Sequence, residues 1–119
     1  MAAKDVLGRR GEDLAAEFLE SLGLVVLSRN WRCREGELDI VATDRVDTLV
    51  ICEVKTRTGT GFGTPVEAVT YAKRRRLRRL AQLWLSQTGL RHATVRFDVV
   101  GVLWPPDAGP EIVHVPEAF

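Results

Sequence analysis

Cysteine and histidine are scarce in this chain: 119 residues include only Cys33, Cys52, His92 and His114. The cysteines form no Cys-x-x-Cys pair and the histidines lie far from them in sequence, which argues against a zinc site or a disulfide scaffold. Both thiols read as free in a reducing cytosol, with Cys52 a small core residue. No apolar run approaches the length that spans a bilayer. No signal-peptide core follows Met1-Ala2-Ala3-Lys4-Asp5. A cytoplasmic protein without a membrane partner is expected. Repeats and low-complexity tracts are absent, and so is an excess of one charge. A net charge of +1 gives no global pull toward nucleic acid. What is present suits one domain, residues 1–119, and the 45% hydrophobic share is enough for an ordinary core.

The hydrophobic pattern alternates between helical and strand periods, as an α/β domain requires. Leu7, Gly11, Leu14, Ala15, Phe18, Leu19 and Leu22 recur at helical spacing and predict a helix over 4–22, stopped by Gly23. Strands are expected at 24–32, 37–43 and 48–56, forming a meander. A second helix begins at Thr64-Pro65-Val66-Glu67, a capping box with Pro at the first helical position. It either runs continuously to Thr88 or breaks and restarts near Thr70. Its buried stripe is Leu77, Leu80, Ala81, Trp84 and Leu85, and Gly89 stops it. A strand at 94–103 then pairs parallel with 48–56 through this crossover. The rigid loop 105–110 leads to a short edge strand at 111–115.

Most of the chemistry lies on the meander. Asp44 to Asp47 reads as a turn, so residues whose numbers sum to about 92 face each other across an antiparallel ladder. Asp39 then lies opposite Glu53, and Glu37 opposite Lys55. Glu53 and Lys55 share a strand face because side chains alternate. Leu49-Val50-Ile51-Cys52 is continuously apolar, which suits a strand buried on both faces. Charges closing such a strand are costly unless they are paired or bind a metal. Asp39, Glu53 and the backbone carbonyl of Val54 offer the oxygen ligands that Mg²⁺ takes, with water and phosphate completing its shell. Such a metal would lower the pKa of a bound water and polarise a scissile phosphate. Lys55 would orient that water or neutralise developing charge. The plainer reading of Glu-x-Lys on a strand is a pair of solvated surface charges.

Gly36-Glu37-Leu38-Asp39-Ile40-Val41 followed by Glu53-Val54-Lys55-Thr56-Arg57 resembles the PD-(D/E)XK nuclease superfamily, with Leu38 where its Pro often stands. With Gly8-Arg9-Arg10-Gly11-Glu12, Ala15, Asn30-Trp31-Arg32, Phe62-Gly63, Lys73 and Phe97-Asp98-Val99-Val100, nearly the whole chain resembles the YraN-like family within that superfamily. The resemblance implies a restriction-endonuclease-like fold, a mixed sheet with flanking helices. It also implies metal-binding acids at Asp39 and Glu53, a catalytic Lys55, and a supporting Glu12 on the first helix. From its helical position alone, Glu12 reads as a solvated glutamate.

The remaining motifs leave alternatives. The segment 57–64 is rich in glycine but lacks the Gly-Lys-Ser/Thr of a P-loop. Its Phe62 either orders on a substrate or plugs the core. Trp31 reads as packing at a strand end, with stacking on a base as the alternative. Asp98 reads as a structural hydrogen-bonder, with lining the site as the alternative. Lys73-Arg74-Arg75-Arg76-Leu77-Arg78-Arg79 is a dense basic run. Arg74/Arg78 and Arg75/Arg79 are like-charge pairs at i, i+4 spacing, mildly destabilising without an anionic partner. Arg57, Lys73, Arg74, Arg75, Arg78 and Arg79 are the candidates for holding a nucleic-acid backbone.

These readings point to Mg²⁺- or Mn²⁺-dependent phosphodiester hydrolysis of DNA, with branched or structured DNA as substrate. No separate cofactor-binding motif is present. Dimerisation would let two sites cut two strands. The rivals are a non-catalytic nucleic-acid-binding or interaction protein that kept the fold, and an RNA-directed enzyme.

Overall fold

The first helix ends where its sequence says it must. α1 spans Ala3–Ser21. Gly23 adopts φ 90°, and the amides of Gly23 and Leu24 return to the carbonyls of Glu20 and Leu19 at 3.0 and 3.2 Å. This is a Schellman closure, which needs a residue at ease in the left-handed region. The chain then forms β1 (Val25–Cys33), β2 (Gly36–Thr43) and β3 (Thr48–Arg57), crosses through α2 (Tyr71–Thr88), and finishes with β4 (Thr94–Leu103) and β5 (Glu111–Val115). The computed structural model describes residues 3–59, 63–92 and 94–119. The expectation for Phe62 lies outside the described residues.

The five strands form one mixed sheet in the order β1-β2-β3-β4-β5. β3 and β4 run parallel over Thr48↔Thr94 to Arg57↔Leu103, as a crossover helix demands, and the other neighbours are antiparallel. The two helices pack on opposite faces. On one face Leu77, Leu80, Ala81 and Trp84 of α2 meet Leu49, Ile51, Phe97 and Val99. On the other, Ala15, Ala16 and Leu19 of α1 meet Ile40, Cys52, Val100 and Val102. This is the layered α/β arrangement of the restriction-endonuclease-like class. Trp84 is 2% exposed, and its indole N–H donates to Ser28 Oγ at 3.2 Å, so its apolar bulk is buried without stranding a donor.

Between the two candidate starts for the second helix, the structure selects the later one. Residues 65–68 form a turn, and Thr64 Oγ1 caps only that turn by accepting the Glu67 amide at 3.3 Å. Thr70 is the helix cap and accepts the Lys73 amide at 3.2 Å. Gly89, at φ 72°, closes the helix. Asp98 is fully buried and structural. Arg96 grips both its oxygens at 2.8 and 2.9 Å, His114 Nε2 lies 2.8 Å away, and the Glu117 amide donates at 3.2 Å. Trp31 packs beside the α2-side core. Cys52 is buried, and that burial pushes its thiol up, leaving it inert. Among the described residues no helix is long and apolar enough to cross a membrane.

Candidate functional site

The site forms where β2 and β3 stop pairing. Their ladder runs from Thr43↔Leu49 to Ile40↔Cys52 and ends there. The hairpin is set by its turn: Asp44 Oδ1 accepts the amides of Val46, Asp47 and Thr48 at 2.9, 3.2 and 3.1 Å. Those bonds hold the Asp44 carboxyl below its ordinary pKa. Past the ladder, Asp39 reaches across the gap and its Oδ2 accepts the Val54 amide at 2.9 Å. A side-chain oxygen thus stands where a strand carbonyl would otherwise be, and it brings the carboxyl against Glu53. This bond uses the Val54 N–H; the carbonyl expected to reach a metal is a separate group of the same residue. Glu37 does not lie across a ladder from Lys55, because the ladder has ended; it pairs with Arg32 at 3.0 Å.

Glu53 is 7% exposed and faces the α2 side. Lys55 Nζ lies 3.8 Å from Glu53 Oε1, and Lys73 Nζ from α2 lies 3.4 Å from Glu53 Oε2. Burial pushes the Asp39 carboxyl up to about 7, reinforced by a hydrogen bond with Glu53 and by the charge of Glu53. The Val54 amide and Lys55 pull it back only in part. Burial also lowers Lys55, and Lys73 beside it adds to that, against the attraction of the carboxylates. For Lys73 burial pulls down, but Lys55 and Glu53 together outweigh it and raise its pKa.

Two buried carboxyls set against each other form a donor pair suited to a hard divalent cation. Asp39 and Glu53 therefore fit Mg²⁺ or Mn²⁺, with water and substrate oxygens supplying the other ligands. Among the described residues no three His, Cys, Asp or Glu side chains converge into one metal-holding group. Glu12 lines a cleft that Asp39 also lines, without joining such a group. It is 9% exposed, and Arg29 Nε and Asn30 Nδ2 both donate to its Oε1, at 3.0 and 2.9 Å. Burial raises its pKa, and Arg29 opposes that. α1 reaches this position because Gly11 lies against Thr56, where a Cβ would overlap Thr56 Oγ1.

The cleft itself encloses about 1100 Å³ and is lined by Arg9, Arg29, Arg32, Lys55 and Arg57 as well as Glu12 and Asp39. Of the predicted backbone-holding residues, Arg57 lines this cleft and Lys73 lies at the carboxylate pair. The others are elsewhere. The Arg74 and Arg78 guanidinium groups lie over the Phe119 ring, at 5.2 and 5.4 Å, and Arg78 also covers Phe97. Arg79 pairs with Glu35 at 3.2 Å. Arg75 is exposed on α2. Sequence reasoning missed Arg29, which clamps Glu12, and Asn30, whose φ of 53° turns its side chain to the same task. Asn tolerates that backbone region better than most residues, but nothing in the strand pattern marks it.

A sheet layered between two helices, with an acid pair and a lysine where its strands part, places the chain in the restriction-endonuclease-like α/β class. The model of Uncharacterised protein family UPF0102 matches residues 11–102. The chain belongs to that family, the YraN-like family that its motifs suggest. It is 51% identical to a UPF0102 protein of Acidothermus cellulolyticus, covering 99% of this chain and 96% of that one. A UPF0102 protein of Nocardia farcinica is 53% identical over 98% and 91% of the two chains. One from an Arthrobacter strain is 54% identical over 97% of each.

Proposed function

We propose that this protein is a divalent-metal-dependent endonuclease that hydrolyses phosphodiester bonds of DNA, with branched or otherwise structured DNA as its substrate. The observation that carries this reading is the meeting of Asp39, Glu53, Lys55 and Lys73 where β2 and β3 part. Mg²⁺ or Mn²⁺ held by Asp39 and Glu53 would supply Lewis-acid polarisation of the scissile phosphate and a more acidic water. Lys55, lowered by burial and by Lys73, is suited to take a proton from the attacking water. Lys73 keeps its proton and faces the charge that builds on the phosphate. Glu12, fixed by Arg29 and Asn30, supports the site from the cleft wall. Arg9, Arg32 and Arg57 offer the phosphate contacts, with Arg75 the candidate on α2. Such contacts are salt-dependent and largely blind to sequence.

The test is cleavage of a labelled panel (single strand, duplex, flap and four-way junction) with Mg²⁺ or Mn²⁺, beside Lys55→Ala purified identically. The wild type should cut and Lys55→Ala should bind without cutting. If both proteins shift the same DNA and neither cuts, the non-catalytic binding reading replaces this one.

A further inference from the structure

Lys55 and Arg57 border two hollows. One is the polar cleft that Glu12 and Asp39 line. The other is a cavity of about 120 Å³ walled by Pro65, Val102, Leu103 and Val113. Its architecture follows from register. Gly101 of β4 is the partner of Lys55 on one side and of Val113 on the other, so the three lie in a row across neighbouring strands. The row spans roughly 10 Å, at about 5 Å per strand. Pro65 sits directly on Gly101, where a Cβ would overlap the Pro65 ring. That contact seats the segment before α2 on the sheet and fixes one wall. Val113 on the edge strand is 43% exposed, which leaves the opposite wall reachable from solvent.

We propose that this cavity receives one nucleobase, unstacked from its neighbours, belonging to the nucleotide whose phosphate lies at the carboxylate pair. The inference rests on the nuclease reading and narrows the substrate to DNA with an unpaired or readily extruded base at the cut. The two shared cations stand where a phosphate must pass, and the apolar walls lie one strand or two further on, where its base would follow. Among the described residues that line the cavity, Thr64 is the only uncharged one with a polar side chain, and its oxygen already accepts the Glu67 amide. Pro65, Ala68, Val102, Leu103 and Val113 supply most of the walls, so the main contact is apolar, with the ring faces, and tolerant of base identity. The volume suits a single base, so a duplex must give up a base to fill it.

The experiment measures binding, in EDTA, of a fluorescent duplex carrying a one-nucleotide bulge, with the bulged nucleotide either intact or abasic. Wild type should bind the intact bulge roughly tenfold more tightly, as expected for loss of one base contact. Val113→Trp and Ala68→Leu, which narrow the cavity from different walls, should bind both DNAs equally and at the weaker level; thermal unfolding establishes that each variant is folded. Equal binding of the two DNAs by wild type, or a preference that survives in the folded variants, overturns the inference, as does an absence of any binding. Cleavage with Mg²⁺ is scored separately. A bulge preference without cutting refutes the nuclease reading and leaves the base site standing. Cutting without the preference does the reverse.

Discussion

Replacing Asp39 with asparagine should make the metal-free protein more stable at alkaline pH and leave it nearly unchanged in acid. The side chain sits against Glu53 in a desolvated gap, which raises its pKa from 3.8 to about 7. A carboxyl raised in the folded state contributes its full share of stability below its ordinary pKa. That share is lost as pH rises through about 7. At about 1.4 kcal/mol for each pH interval between the two values, the loss reaches at most about 4 kcal/mol above pH 8. The substituted amide would keep an oxygen for the Val54 N–H, now 2.9 Å from Oδ2, and would offer an N–H of its own to Glu53. Urea unfolding of both proteins in EDTA at a series of pH values from about 4 to 8 gives the difference directly. Asp39→Asn should be within about 1 kcal/mol of wild type in acid and about 2–4 kcal/mol more stable at pH 8. Added Mg²⁺ should recover stability at pH 8 in wild type but little in the variant. A variant destabilised equally at both ends of the range would refute the argument, because the carboxyl would then act as an ordinary structural acceptor.

Other substitutions probe separate parts of the same reasoning. Gly11→Ala, forced against Thr56, should cost about 1–3 kcal/mol by overpacking, whereas Gly8→Ala, with open space around it, should gain up to about 1 kcal/mol of helix propensity. Equal effects in denaturant unfolding would mean that α1 is not wedged on β3. Lys73→Met should slow cleavage at neutral pH by at least about tenfold. It should also move the alkaline rise of the pH–rate profile upward, since Lys73 is one of the groups lowering Lys55. An unshifted profile would remove Lys73 from the proton chemistry. Arg96→Met strips the bidentate partner from the fully buried Asp98 and should cost about 3–5 kcal/mol by urea unfolding. A loss below about 1 kcal/mol would show that His114 and the Glu117 amide suffice alone. Arg74→Ala and Arg78→Ala, which uncover Phe119, should each cost about 0.5–1 kcal/mol and leave DNA affinity close to wild type. A large affinity loss would return the basic helix to the binding surface.

Local chemistry made much of the fold legible. The hairpin register follows from the polar turn at Asp44, and the ladder pairs Ile40 with Cys52, as numbers summing to about 92 require. Gly23 and Gly89 close their helices because each occupies the left-handed region. The apolar stripe of α2 is buried at Leu77, Leu80, Ala81 and Trp84. Leu22 is the exception: it belongs to the predicted stripe of the first helix yet is 53% exposed, lying past the last turn that reaches the sheet. The start of the second helix is not decidable locally, because Thr64 and Thr70 both have capping chemistry; the segment after Thr64 packs on the sheet as a turn, with Pro65 on Gly101, and the helix begins only after Thr70.

Element order, the parallel crossover and the pairing of Asp39 with the Glu53–Lys55 strand are all written in the chain itself. Each follows from a short-range period, a turn or a cap. What those residues meet depends on how the elements pack. Lys73 looked like one more cation in a basic run, but α2 crosses the sheet at an angle that delivers it to Glu53, while Arg74, Arg78 and Arg79 find Phe119, Phe97 and Glu35. The ladder ends at Ile40↔Cys52, and beyond it Asp39 lines a cleft, with Glu53 buried behind it. Partners tens of residues away set both outcomes, and a pattern that repeats every two or four residues carries no information about them.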